Sequence, residues 1–393
     1  MKLKTLFPSL PLLLISTLTC CCSVYEPMPP APKPGRTVIV YMAADNNLSG
    51  YSYNNIRDMV WGAEDDNLGN GKLLVYHDSA SESPRLINIR KGEDGGIVED
   101  TVRIYESRNS VDVAVMRSVF SDIMGDAAFR SDSYGLVLWS HGTAWLPSDI
   151  KNYLRSYGQD KNSYMEIYEL KEALSGYKFD FIIFDDCYMA NIEVACTLAG
   201  NTGYILASPT EVLAPGLPYQ YIIKYMFEDG DIASSLSKIG DTFYSYYEGQ
   251  MAGSQYPKSA STTLVRTAGI EDLAAICREI LKGREEDIFN LPLENIQLIE
   301  RLGFSHHSLF DFADFIKQLA TPDQYARFEE ALKKVVVHMK TTDIAYYSRE
   351  GGIGGITIDR ERFCGISSYV PQRDLPPLND WYSQLDWYKL VYK

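Results

Sequence analysis

Residues 181–191 read FIIFDDCYMAN. Four apolar residues meet two aspartates and a cysteine, and a helical pattern follows at once, as in a buried strand that ends at a functional edge. A structural cysteine prefers apolar surroundings, where its pKa rises, and adjacent carboxylates disfavour the thiolate further. A strand that ends in a thiol and two acids is therefore either an incidental arrangement or a site where the thiol works beside a pocket for positive charge.

The same buried-strand pattern recurs outward from this point. TVIVYMAA (37–44), KLLVYHD (72–78), YGLVLWS (134–140) and YILAS (204–208) read as strands, with RLINIRKG and VEDTVRIYE around the GEDGG turn. Helical periodicity occupies 49–63, 111–124, 163–174 and 187–198. Near-continuous apolar strands alternating with helices indicate an α/β fold with a mostly parallel central sheet flanked by helices. Past Asp231 the pattern turns helical through DQYARFEEALKKVVVHM, and ITIDRERFCGISSYVP reads as a late strand or two extending the sheet. The expected division is a signal peptide (1–22), a Pro-rich tether (23–35), a catalytic core (36–230) and a mainly helical part (231–393) completing the same unit.

At 393 residues the chain can bury a large core. Its 37 basic and 52 acidic residues leave a net charge of −15, which disfavours nucleic acid and favours basic substrates. The N-terminus, MKLKTLFPSLPLLLISTLTCCCS, has two lysines and an apolar run of signal-peptide length that ends in three cysteines. It resembles a bacterial lipoprotein signal with Cys21 lipidated, or Cys20 as the alternative. That implies an extracytoplasmic, membrane-anchored protein, periplasmic or on the cell surface; plain secretion is the other reading. The four remaining cysteines, Cys187, Cys196, Cys277 and Cys364, are too scattered for a disulfide framework or a zinc site.

Functional groups of open α/β sheets gather at the carboxyl ends of the strands. VLWSHG delivers His141 to such an end, and FIIFDDC delivers Cys187 to another. A cysteine in the first turn of a helix has its pKa lowered, and an imidazole within reach completes a nucleophile–base pair. Gly142 either lets its N–H approach a substrate carbonyl or is a plain turn glycine. By spacing alone the pair stands beside blander readings: His77 also follows an apolar strand, and His306, His307 and His338 flank helices. No G-x-S-x-G elbow supports a serine hydrolase.

VIVYMAADNNLSGYSYNNIRDM, YGLVLWSHGTAW, FDFIIFDDCYMANIEVA, LFDFADF, GISSYVP and LDWYKLVY together resemble the clostripain family of cysteine peptidases, relatives of caspases and gingipains with a caspase-like α/β fold. The resemblance implies His141 as catalytic histidine and Cys187 as nucleophile, with the backbone N–H groups of Gly142 and Cys187 as oxyanion hole. It implies Asp185 as the S1 acid that selects Arg or Lys at P1, with Glu211 of PTEVLAPG as a second acid. Asp186 stands where the family usually carries a small residue, and either adds a charge near the thiol or points into solvent. No cofactor is required; calcium dependence occurs in the family, and Asp45 of ADNN is either a calcium ligand or part of a plain turn. The polar connection at 146–170 carries Lys151, Arg155 and Lys161, and family members cut themselves after a basic residue in this region. Arg155 is the first choice, with Tyr153 and Tyr157 holding the loop over the cleft. The expected activity is endopeptidase cleavage after Arg or Lys by a Cys–His dyad, activated by self-cleavage. A silent lipoprotein that binds peptides in the same cleft is the alternative.

Overall fold

Val38 to Ala44 are all fully buried, which a strand achieves only when both faces of its sheet are covered. Ile39, Tyr41 and Ala43 enter one core, while Val38, Val40, Met42 and Ala44 enter a second, as strand alternation requires. This strand, β1 (Arg36–Ala44), lies inside a nine-stranded sheet, next to its middle strand. The others are β2 (Lys72–Ser79), β3 (Glu82–Lys91), β4 (Ile97–Ile104), β5 (Ser133–Trp139), β6 (Phe179–Asp185), β7 (Thr202–Ala207), β8 (Ser261–Arg266) and β9 (Val336–Thr341). Their spatial order is β9-β8-β7-β6-β5-β1-β2-β3-β4. The run β7-β6-β5-β1-β2 is parallel. Both flanks, β8 with β9 and β3 with β4, are antiparallel. The computed structural model describes residues 35–148, 156–302, 306–349 and 352–393, which fall within one compact unit.

Helices Ser49–Gly62, Tyr219–Phe227 and Ile232–Glu248 send Met59, Ile223 and Phe243 into the second core. Helices Val113–Gly125, Ile192–Leu198, Ile270–Leu281 and Pro322–Val335 pack Phe120, Val194, Cys277 and Phe328 into the first. The result is three layers, helix–sheet–helix.

Several sequence expectations need correction. The mainly helical part also supplies β8 and β9, two strands of the central sheet. ITIDR does not extend the sheet; Gly352–Thr357 pairs with Ile344–Arg349 in a separate hairpin. The pattern DQYARFEEALKKVVVHM breaks after Val335, and Val336 begins β9. Consecutive β-branched valines are stiff in a helix and suit a strand. The helix expected from Ser163 starts only at Ile167, because Tyr157–Asp160 and Ser163–Met165 form a hairpin first. Tyr157 is fully buried against Phe184, with ring centroids 6.2 Å apart, rather than lying over a cleft.

Register then sets the functional edge. Met42 is paired with Trp139, and Trp139 with Asp185. β5 and β6 end in step at Trp139 and Asp185, while β1 runs two residues past Met42 to Ala44, so the segments that follow these neighbouring strands emerge side by side.

Buried acids tie the layers together. Glu193 is fully buried and accepts from Ser368 Oγ at 3.0 Å and Tyr369 N–H at 3.1 Å, joining its helix to strand Ser367–Tyr369. Burial pushes its pKa up to about 7 from 4.5. The native state therefore holds a proton that the unfolded chain releases, so this contribution falls as pH rises between about 4.5 and 7. In urea titrations at pH 5 and pH 8, wild type should lose on the order of 2 kcal/mol through Glu193 on going to pH 8. Glu193→Gln should lose correspondingly less; an identical loss in the variant would rule out Glu193 as the source.

Candidate active site

Beyond β5 the chain stays extended and pairs with the segment before the 157–165 hairpin. Gly158 N–H donates to His141 C=O at 2.8 Å, and Thr143 N–H to Ser156 C=O at 3.1 Å. Gly142 opposite Tyr157 is thus the non-bonded pair, with its own N–H and C=O facing away from that strand. His141 Nε2 lies 2.6 Å from Asn47 Oδ1, which comes from the turn after β1. Asn46 fixes that turn by donating to Ala43 C=O at 3.0 Å and Gln159 C=O at 2.8 Å.

Beyond β6, the two aspartates part company. Asp185 closes the strand and accepts Leu217 N–H at 3.1 and 3.2 Å and the Tyr219 hydroxyl at 2.9 Å. Burial pushes its pKa up to about 6 despite these donors. Gly216, with φ +70°, is required here: a Cβ would lie 2.8 Å from both carboxylate oxygens. Asp186 does not point into solvent. It is 1% exposed, and its Oδ1 accepts the Cys187 N–H at 2.9 Å.

Cys187 is not in the first turn of a helix. Tyr188 N–H bonds Thr210 C=O and Ala190 N–H bonds Ser208 C=O, so the chain after the cysteine runs beside the β7 extension. The helix begins at Ile192, capped by the Asn191 side chain on Val194 N–H at 3.1 Å. Tyr188, with φ +63°, makes the bend. The thiol therefore gains nothing from a helix N-terminus. It accepts from Val212 N–H at 3.3 Å and faces Val212 C=O at 3.7 Å. Removal from water, then the charges of Glu211 and Asp186, push its pKa well up. The sulfur lies against the backbone of Val212.

His141, Gly142, Asp185, Asp186, Cys187 and Glu211 all line one cleft of about 610 Å³. Three carboxyl groups border it, and no Lys or Arg does among its described lining residues. Glu211 is committed to the far hairpin: it accepts Ser348 N–H at 2.9 Å and Ser348 Oγ at 2.5 Å. A wider cleft of about 1060 Å³ around His306, His307 and Arg362 contains no cysteine. His77 is buried in β2 against Ser52 Oγ at 2.7 Å, and burial pulls its pKa down to about 4. His338 lies in β9 beside Asp241.

Asp45 is engaged by Lys161, whose ammonium lies 3.1 Å from its carboxylate. Lys161 N–H also donates to Asp45 C=O at 2.7 Å. A calcium ion there would face a resident cation, so the residues present do not fit one. Among the described residues no three His, Cys, Asp or Glu side chains converge on a metal position. Cys20, Cys21, Lys151 and Arg155 lie outside the described residues. Sequence reasoning missed Asn47, Gly216, Tyr219 and Ser348. Asn47 was reachable, since ADNN follows the strand adjacent to the one carrying His141; Ser348 left no local signal.

The clostripain family's sequence model matches residues 40–392. An inactive zymogen C11 protease from Parabacteroides distasonis is 38% identical, with a TM-score of 0.83 over 92% of this chain and 99% of that one. A secreted C11 cysteine protease from Bacteroides thetaiotaomicron, in complex with an irreversible peptide inhibitor, is 31% identical, with a TM-score of 0.78 over 91% and 99%. A clostripain from the same organism, in complex with the peptide inhibitor BTN-VLTK-AOMK, is 28% identical, with a TM-score of 0.50 over 60% and 98%. Comparison with curated proteins finds no match. With the profile spanning nearly all of the described chain and the caspase-like sheet shared with solved C11 proteases, this chain belongs to the clostripain family of cysteine peptidases.

Proposed function

We propose that this cysteine peptidase cleaves after Arg or Lys through Cys187 and His141, is matured by cutting itself between His141 and Cys187, and is held at a membrane by lipid on Cys21. The observation that carries the specificity is the cleft's charge: Asp185, Asp186 and Glu211 border it without a lysine or arginine among the described lining residues. A basic P1 side chain is the complement of such a wall. Asp185, at the base of the sheet edge, is the first candidate to meet it. The lysine that ends VLTK in the inhibitor of the related clostripain is consistent with this.

In the proposed reaction Cys187 Sγ gives its proton to His141 and attacks the scissile carbonyl carbon. The carbonyl π pair moves to oxygen, which the Gly142 and Cys187 N–H groups hold. As the C–N bond breaks, His141 passes the proton to the leaving amine, and it then activates water to hydrolyse the thioester. Asn47 Oδ1, 2.6 Å from Nε2, orients the imidazole.

For maturation, the bonding of Lys161 to Asp45 makes it a poor scissile residue, which favours Arg155 or Lys151. For the anchor, no helix among the described residues is long and apolar enough to cross a membrane. The sequence offers lipid on Cys21 instead.

Processed enzyme offered fluorogenic peptides with Arg, Lys, Asp or Leu at P1 should turn over the first two, and Cys187→Ala none. Asp185→Ala should cost about 2–5 kcal/mol in kcat/KM for Arg, and little for Leu. Because Asp185 must be ionised to bind a cation, kcat/KM for Arg should fall as pH drops through about 6. Unchanged Arg turnover in Asp185→Ala would place the pocket acid elsewhere.

Wild type should run as two fragments that stay together, and Cys187→Ala as one chain. Arg155→Ala should slow the cut or divert it to Lys151 or Lys161. Cleavage of isolated Cys187→Ala at the same bond would show that an outside protease does the work.

Replacing Cys20, Cys21 and Cys22 together should move the protein from membrane to soluble fractions, since one chain anchors only marginally and several are needed. A triple variant that sediments with membranes like wild type would remove the lipoprotein reading.

A further inference from the structure

The Cys187 N–H, an oxyanion donor in the reading above, already has an acceptor. Asp186 Oδ1 lies 2.9 Å from it. The same oxygen would stand 2.5 Å from a Cβ at Gly142, with Asp186 Cγ at 2.7 Å and Cys187 O at 2.9 Å. One carboxylate oxygen thus fills the gap that Gly142 leaves beside the Cys187 amide. The group is 1% exposed, so water does not compete for it.

A carboxylate and an oxyanion cannot share this place. When sulfur attacks, the carbonyl oxygen takes the π pair and becomes negative there. A second negative oxygen against the same donor would be repelled in a site largely shielded from water. The molecule offers another partner. Tyr157 is fully buried, and its hydroxyl has no hydrogen-bond partner among the described residues. A buried hydroxyl left unpaired is costly and calls for a reason. Its ring stacks edge-on against Phe184, two residues before Asp186, and it sits opposite Gly142 in the bridge. Asp186 is the one charge named among the causes that raise the Tyr157 pKa.

We propose that Asp186 is a built-in occupant of the oxyanion site, holding the Cys187 N–H in place of a substrate carbonyl, and that it moves to the Tyr157 hydroxyl before cleavage. The inference rests on the peptidase reading above and adds a residue that sets how readily the site accepts substrate.

The test compares processed wild type with Asp186→Ala, Asp186→Asn and Tyr157→Phe. Two quantities are read: kcat/KM for the best peptide, and affinity for the aldehyde of the same peptide. The aldehyde adds the Cys187 sulfur at its carbonyl carbon, and its oxygen must use the oxyanion donors. Asp186→Ala should raise both by about tenfold or more. Asp186→Asn keeps an acceptor oxygen without the charge and should gain clearly less. Tyr157→Phe should lower both in wild type yet change neither in the Asp186→Ala background, a pattern that a merely structural tyrosine would not give.

Equal gains in Ala and Asn would mean charge alone is at work and overturn the occupancy. Unchanged or reduced values in Asp186→Ala, with its urea midpoint retained, would also overturn it. So would a Tyr157→Phe effect that is the same in both backgrounds. Should Asp186→Ala not fold, a structure of the wild-type aldehyde complex decides: Asp186 must be off the Cys187 N–H, and Asp186 still bonded there overturns the proposal. Turnover by wild type without any Asp186 effect sinks this inference alone. No turnover and no aldehyde binding by any variant sinks the peptidase reading, and this inference with it.

Discussion

The pairing of Trp139 with Asp185 and with Met42 is the constraint on which the rest depends. A one-residue slip would turn every side chain of β6 to the opposite core, so burial on both faces pins the register. Once pinned, it decides what emerges at the sheet edge and in what order. His141 and Cys187 each follow their paired residue by two positions. Asn46 and Asn47 arrive from β1, and Val212 from beyond β7. None of these residues needs to find the others by itself; the hydrophobic alternation of the strands brings them together.

At that edge, acids do three kinds of work. Asp185 is held by three hydrogen bonds and its pKa is raised to about 6, ready to be stabilised by a cation. Glu211 links the cleft wall to Ser348, more than a hundred residues away in sequence, so the far hairpin belongs to the site. Asp186 sits between the two backbone segments that carry Gly142 and Cys187. The thiol lies against Val212, and burial with the nearby charges of Glu211 and Asp186 holds its pKa up. A cationic substrate would offset that charge and lower the thiol pKa as it binds, coupling recognition to reactivity.

Much of the architecture was legible because buried parallel strands leave long apolar runs that other patterns rarely imitate. VLWSHG and FIIFDDC placed His141 and Cys187 just past two strand ends, and the fold makes those strands neighbours. What failed was local. The helix after Cys187 starts only at Ile192, because the intervening residues pair with the β7 extension, a tertiary bond that no periodicity reports. β9 was hidden at the end of a helical pattern, where only the valine cluster argued for a strand. Asp186 was ambiguous because a charged residue at a strand end is normally solvated. Its burial depends on Gly142 and Tyr157, which reach it through the fold.

The pairing of β5 with β6 has a further consequence. Arg155 and Lys151 lie between these strands in sequence, yet the strands are neighbours in the sheet. A bond cut there removes nothing from the folded molecule, but it changes the molecularity of folding. The intact chain folds by a first-order process at any dilution. The cut molecule, once unfolded, must bring two polypeptides together, and its stability becomes concentration-dependent. At high dilution such a cut would be a ratchet: the sheet persists while it stays folded, and has little route back once it is lost.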